Sequence, residues 1–290
     1  MRKVMLGSFP RGHRPCQAQT IDTALPPCPS GARDVQSPGM TTLGVDIGGS
    51  GIKGAPVDTA KGSLTAERLR IVTPSPSTPE AVARVIRQIA ESFPETRGPV
   101  GITFPGVVTK GRTLTATNMD HSWVDFDAAA FLTKDLGRPA VVMNDADAAG
   151  LAEIRFGAGR SIRGTVLLLT LGTGIGSALF LDGKLLPNTE FGHMELRGKD
   201  AESRASAKVR EEKDLGWKDW GERVGEVVAQ LTLLLNPDLV IIGGGVSRKA
   251  EKFLPVVQSM VKTPIVPAQL QNQAGLVGAA LVAAETFSKS

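Results

Sequence analysis

Two stretches of this chain repeat one pattern: TTLGVDIGGSGIKGAPVD, residues 41–58, and TVLLLTLGTGIGSALFLDG, residues 165–183. Each is an apolar strand, a turn of closely spaced glycines and a second strand, which makes a hairpin. That excludes the Walker loop and the GxGxxG turn, both of which feed a helix. Two such hairpins about 125 residues apart point to an internal duplication. The expected architecture is α/β, with two lobes facing each other across a cleft.

The glycines carry the first functional expectation. Gly48, Gly49 and Gly51 allow backbone amides to approach an anion without Cβ interference, Ser50 adds a hydroxyl and Lys53 a charge. Asp46, at the strand end, is placed to hold Mg2+ through water. In the second hairpin Gly172, Thr173, Gly174 and Gly176 are the matching candidates. Facing grips of this kind clamp a polyphosphate chain from both sides. A single glycine hairpin, by contrast, is an ordinary turn.

Between the hairpins, VVMNDADAAG ends a buried apolar run in Asn144-Asp145 just before a helical pattern over 146–156. Strand ends in α/β proteins open onto the ligand crevice, so Asp145 is the expected catalytic base. The same residues also suit a helix N-cap, and on this decapeptide alone the cap is the better reading. The two flanking grips reverse that preference.

The remaining pattern is scaffold. A third strand is expected over 68–73, an amphipathic helix over 79–92 with Val82, Val85, Ile86 and Ile89 on one face, and a strand over 99–103. In the loop that follows, Asn118 is a candidate ligand contact, because polar groups that orient a ligand come from loops. A long helix over 214–235 stops at Asn236-Pro237, before a strand over 239–242 and the triplet Gly243, Gly244 and Gly245. A helix rich in small residues over 274–287 has a packing role.

Composition bounds the rest. The 290 residues are 41% hydrophobic, enough for real cores. No apolar run approaches the roughly 18 residues that span a bilayer. Residues 1–39, rich in Pro, Gly, Ser and Arg, read as a disordered tail without a secretory signal. This tail holds most of the excess positive charge, leaving 28 basic and 27 acidic residues from Met40 onward. The pI of 9.2 therefore says little about partners. Both cysteines, Cys16 and Cys28, also fall in the tail, so the folded part has no thiolate metal site, which suits a cytoplasmic protein.

LGVDIGGSGIKG, TLGTGIG, NDADAAGLAE and TEFGHMEL together resemble the ROK family of sugar kinases, over essentially all of Met40 to Glu285. That resemblance implies the actin-like ATPase (ribonuclease H-like) fold. It divides the chain into a small lobe of 40–144 plus 272–290 and a large lobe of 145–271. It further implies a hexose acceptor, glucose or mannose, with Asp145 as base for the 6-hydroxyl. Gly106, Thr117, Asn118, Asn144, Glu190 and His193 become its sugar contacts, the third glycine turn lies at the adenosine end of a nucleotide, and the protein is expected to be a homodimer.

One departure is informative. The family usually places a zinc-binding cysteine cluster just after this histidine, whereas 197–213 reads RGKDAESRASAKVREEK, without cysteine. No zinc is expected, and by its charge count the segment reads as a solvated helix face. Together with FPGVV, this absence is similar to the family's glucokinases and glucomannokinases that use inorganic polyphosphate, with or without ATP, as donor. The alternatives are an ATP-only kinase of glucose or of an N-acetylated hexosamine, and a sugar-sensing repressor. The repressor reading requires a helical DNA-binding domain of some 60 residues ahead of the first hairpin, and the Pro-broken segment there does not supply one.

Overall fold

The computed structural model describes residues 41–288. The tail read over 1–39, with Cys16 and Cys28, lies outside the described residues.

The first hairpin forms as expected. Strands β1 (Thr41–Gly48) and β2 (Gly51–Asp58) pair antiparallel down to Gly48 opposite Gly51. Short strands β3 (Ser63–Leu64) and β4 (Leu69–Ile71) both pair with β2. The strand expected over 68–73 is thus only three residues long, because Pro74 and Pro76 follow and cannot donate to a ladder. Helix α1 (Pro79–Glu91) begins at Thr78, whose side chain caps the Ala81 amide, and it buries Val82, Ile86 and Ile89.

Strand β5 (Val100–Phe104) runs parallel to β1 and is buried at every position, as a strand covered on both faces must be. A small meander of β6 (Val108–Thr109), β7 (Arg112–Thr113) and β8 (Phe126–Asp127) precedes helix α2 (Ala128–Leu136). Strand β9 (Ala140–Asn144) then adds parallel to β5, giving the order β3-β2-β1-β5-β9.

Helix α3 (Asp145–Phe156) leads into the second sheet. Strands β10 (Thr165–Leu171), β11 (Ile175–Leu181) and β12 (Lys184–Leu186) are antiparallel neighbours. The ribbon β13 (Glu195–Leu196) and β14 (Lys199–Asp200) and the short helices α4 (Glu202–Ala205) and α5 (Ala207–Glu212) come next. Residues 197–213 are therefore not one helix face. After α6 (Trp217–Leu235), strand β15 (Leu239–Gly243) pairs parallel to β10. Beyond α7 (Leu254–Met260), β16 (Ile265–Pro267) pairs parallel to β15. Helix α6 starts three residues later than expected, because Asp214 is left-handed (φ 46°) and Gly216 takes the N-cap. Its end is as read, with Asn236 left-handed at the C-cap.

The second order, β12-β11-β10-β15-β16, repeats the first in both sequence and strand sense. Three antiparallel strands followed by two parallel ones occur twice, which is the duplication the hairpins announced. One core packs Ile86, Ile102, Phe104, Trp123 and Leu132 against the first sheet, and another packs Trp220, Val228, Ile242 and Phe253 against the second. Helix α8 (Ala274–Phe287) lies against β1, β5 and α3. A Cβ on Gly278 would stand 1.8 Å from the Ala148 carbonyl oxygen, so α3 and α8 touch backbone to backbone. Among the described residues no helix is long and apolar enough to cross a membrane.

Candidate active site

Five of the predicted site segments sit at or just beyond the carboxyl ends of strands that have a parallel neighbour, whereas Thr117-Asn118 follows the antiparallel β7 and Glu190 to His193 follows the antiparallel β12. The first turn leaves β1, Gly106 follows β5, Asn144-Asp145 follows β9, Gly172 follows β10 and Gly243 ends β15. A sheet fixes these ends against one another, while its covering helices leave them open.

Asn144 and Asp145 divide the two roles that the sequence left open. Asn144 is the N-cap: its Oδ1 accepts from the Asp147 amide at 3.0 Å, and its Nδ2 donates to the Gly106 carbonyl at 3.1 Å. Asp145 is thereby relieved of capping. Its Oδ1 accepts from the adjacent Ala146 amide at 2.8 Å. It lies deep in the protein with part of its surface open. Burial, reinforced by the charges of Asp46 and Glu190, pushes its carboxyl up to about 7 against the Ala146 hydrogen bond. A base tuned near neutrality is what proton abstraction at neutral pH needs.

The second group is held by β11. Ser177, buried on that strand, donates from Oγ to the Thr189 carbonyl at 2.6 Å and accepts the Phe191 amide at 3.0 Å, fixing Glu190 between them. Gly192 has the Ile175 carbonyl oxygen 2.2 Å from where a Cβ would be, so only glycine lets this loop approach the strand. Burial raises the Glu190 carboxyl, opposed by the nearby His193. His193 is raised in turn, chiefly by the 3.1 Å hydrogen bond between its Nδ1 and Asp200 Oδ2. Glu202 faces the same group, and its Oε2 accepts the Ile175 amide of the second turn at 3.2 Å.

A closed circuit joins these segments. Asn188 donates its amide to Asp147 Oδ2 at 2.8 Å, and its side chain pairs with both the amide and the carbonyl of Val108 at 2.9 Å. Asn144 closes the loop through Asp147 and Gly106. Asp147 is buried, its Oδ1 has no hydrogen-bond partner among the described residues, and burial pushes it up to about 6. None of Asp147, Ser177, Asn188 and Glu202 stood out in the sequence. Asp147 is one of two acids in the first turn of α3, and the others belong to no functional motif.

In the first turn, Lys53 Nζ lies 3.1 Å from Asp46 Oδ2, and Thr103 Oγ1 donates to Asp46 Oδ1 at 2.8 Å. Lys53 thus neutralises Asp46 rather than standing free. Arg70 Nη2 binds the Ser50 carbonyl at 2.9 Å, and Gly49 lies against Asn118. Thr117 is exposed, and among the described residues no hydrogen bond ties it to Asp145. In the second turn Gly176 packs against Ala146 at the start of α3, while Gly172 faces open space. Gly172, Thr173 and Gly245 border one cavity of about 530 Å³, which brings the second and third turns together.

Among the described residues no three His, Cys, Asp or Glu side chains group as metal ligands. Asp46 nevertheless fits Mg2+ held through water, since that ion typically uses one or two carboxylates plus substrate phosphates. Where the family's cysteines would lie, the chain uses other bonds. Trp220 Nε1 donates to the carbonyls of Ala205 and Ser206 at 3.1 and 3.2 Å, and Glu226 takes Arg197 and Arg204 at 2.7 Å each.

Duplicated sheets and an unencumbered aspartate at a strand end define a phosphotransferase-type actin-like ATPase fold. The sequence pattern of the ROK family matches residues 42–208 and 203–286, and the chain belongs to that family. It is 49% identical over 257 residues to a polyphosphate glucokinase of Mycobacterium tuberculosis, covering 87% of this chain and 96% of that one. Among solved structures, an inorganic polyphosphate/ATP-glucomannokinase from Arthrobacter sp. strain KM aligns with a TM-score of 0.82 at 49% identity, over 85% of this chain and 99% of that one. A ROK family glucokinase from Streptomyces griseus, in complex with glucose and AMPPNP, aligns at 0.75 with 27% identity, over 84% and 99%.

Proposed function

We propose that this protein transfers the terminal phosphoryl group of inorganic polyphosphate, or of ATP, to the 6-hydroxyl of glucose, giving glucose 6-phosphate. The observation that carries the reading is Asp145, buried beside Asp46 and Glu190, raised to about 7 and free of the capping bond. The names of the 49% identical relatives supply donor and acceptor.

In the proposed reaction Asp145 accepts the 6-hydroxyl proton as that oxygen attacks phosphorus in line. Glu190 and His193 orient the sugar, with Gly106, Thr117, Asn118 and Asn144 on its other side. Amides of the first and second glycine turns face the donor oxygens. Asp46 would hold Mg2+ through water, and the ion would supply charge neutralisation at the phosphates. Closure of lobe 145–271 on lobe 40–144 plus 272–290 would exclude water. A homodimer and a cytoplasmic location belong to this reading; exposed Leu181, Leu186, Leu233 and Leu234 offer apolar surface for a second copy.

The test is formation of hexose 6-phosphate from glucose and Mg2+ with nucleotide-free long-chain polyphosphate in one reaction and ATP in another. Product with polyphosphate is expected. Product with ATP alone would make this an ATP-only kinase, and no product from either would overturn the acceptor.

A further inference from the structure

Beside the second turn the chain gathers positive charge that its own carboxylates do not neutralise. The cavity bordered by Gly172, Thr173 and Gly245 is also lined by Lys208, Arg210, Arg248 and Lys249, against one carboxylate, Glu211. Lys208 reaches Glu212 at 3.7 Å. Among the described residues Arg210, Arg248 and Lys249 have no carboxylate partner within 4.0 Å. Arg210 instead lies over Trp217, with Cζ 4.1 Å from the ring centre, and Lys249 lies 5.7 Å from the same ring. Cations held this close without counter-charge repel one another, and the arrangement is relieved by an anion.

Arg248 belongs to a second cavity as well, of about 420 Å³, formed with Glu67, Arg68 and residues 270–273. Arg68 is steered into it by a 3.3 Å bond from Nη1 to the Asn272 carbonyl, and among the described residues its remaining donors have no hydrogen-bond partner. Arg248 thus borders both cavities, with Gly172, Arg210 and Lys249 around the first and Arg68 in the second. Together five cations line the two cavities against two carboxylates.

We infer that these cavities are successive subsites for the part of a polyphosphate donor that lies beyond the transferred phosphoryl group, with Arg248 shared and Arg68 the distal contact. The inference rests on the polyphosphate reading above and adds a chain-length dependence to it. A triphosphate with its end at the glycine turns spends its anionic part there, and its nucleoside is neutral. Only a longer polyanion carries charge as far as Arg68. Donor length is therefore read by how many cations are covered.

The experiment compares wild type with Arg68→Gln and Arg68→Lys, using long-chain polyphosphate, a short oligophosphate and ATP at fixed glucose and Mg2+. Removing one distal charge is expected to raise KM for the long chain roughly three- to tenfold, with kcat unchanged. KM for ATP and for the short donor stays at the wild-type value. Arg68→Lys, which keeps the charge but not the guanidinium geometry at Asn272, restores most of the long-chain KM. An unchanged long-chain KM in Arg68→Gln would overturn these subsites while leaving the polyphosphate reading intact, and so would an equal rise for all three donors. A wild-type enzyme that uses no polyphosphate of any length would overturn both.

Discussion

Asn188 holds Val108 at both of its backbone groups, accepting the Val108 amide on Oδ1 and donating from Nδ2 to its carbonyl, each at 2.9 Å. The residue two positions later is Glu190, and the one two positions before Val108 is Gly106. The groups proposed to face the sugar on two separate segments are therefore set by one side chain, which adopts the left-handed backbone (φ 59°) that asparagine tolerates. Asn188→Ala removes two hydrogen bonds and strands the Val108 groups. A loss of about 1–3 kcal/mol in folding stability is expected, together with a rise in KM for glucose larger than the fall in kcat. Denaturant titration and steady-state kinetics check both; equal falls in stability and kcat with an unchanged KM would contradict the positioning role.

Asp145→Asn keeps the size of the side chain and removes its basicity. Turnover should fall by at least about 10²-fold, since a positioned base contributes about 10² to 10⁴-fold. Glucose binding, measured by calorimetry, should stay within a few-fold of wild type. Turnover within a few-fold of wild type would remove Asp145 from the mechanism.

The raised carboxyl of Asp145 has a kinetic and a thermodynamic consequence. The value of kcat/KM should rise with pH through an apparent pKa near 7, belonging to the coupled carboxylates as a group, and that limb should vanish in Asp145→Asn.

For stability the sign runs the other way. The folded-state pKa is above the ordinary carboxylate value, so the contribution of Asp145 is full at low pH and is lost as pH rises through about 7. Asp147, pushed up to about 6, acts in the same direction. Replacing Asp145 by Asn should therefore raise Tm more at about pH 8 than at about pH 5. A Tm difference independent of pH would show that Asp145 is not raised.

The segment 197–213 is held by an indole and two arginines. Chelation of adventitious metal, followed by return of Mg2+, should leave both Tm and activity unchanged. Trp220→Ala should cost about 3–5 kcal/mol, because a fully buried ring and two backbone bonds are lost together. A chelator-induced fall in Tm would reveal a structural metal.

Much of this was legible in the residues themselves. The glycine hairpins are local, because strand pairing across a two- or three-residue turn follows from alternation and turn chemistry within 18 residues. The same holds for α1, the stop at Asn236 and the helix from Ala274, whose signals are local to each element. The strand-end position of Asp145 was likewise readable from its apolar run. What could not be read is every relation between residues distant in the chain. Asn188 with Val108, Glu202 with the second turn, and Arg248 shared between two cavities have no periodicity to betray them. Asn144 as cap and Asp145 as free carboxylate were equivalent on paper, because both residue types cap helices. Only the packing of α3 between the two sheets chose between them, by turning one side chain back to the helix amides and Gly106 and leaving the other beside Asp46 and Glu190.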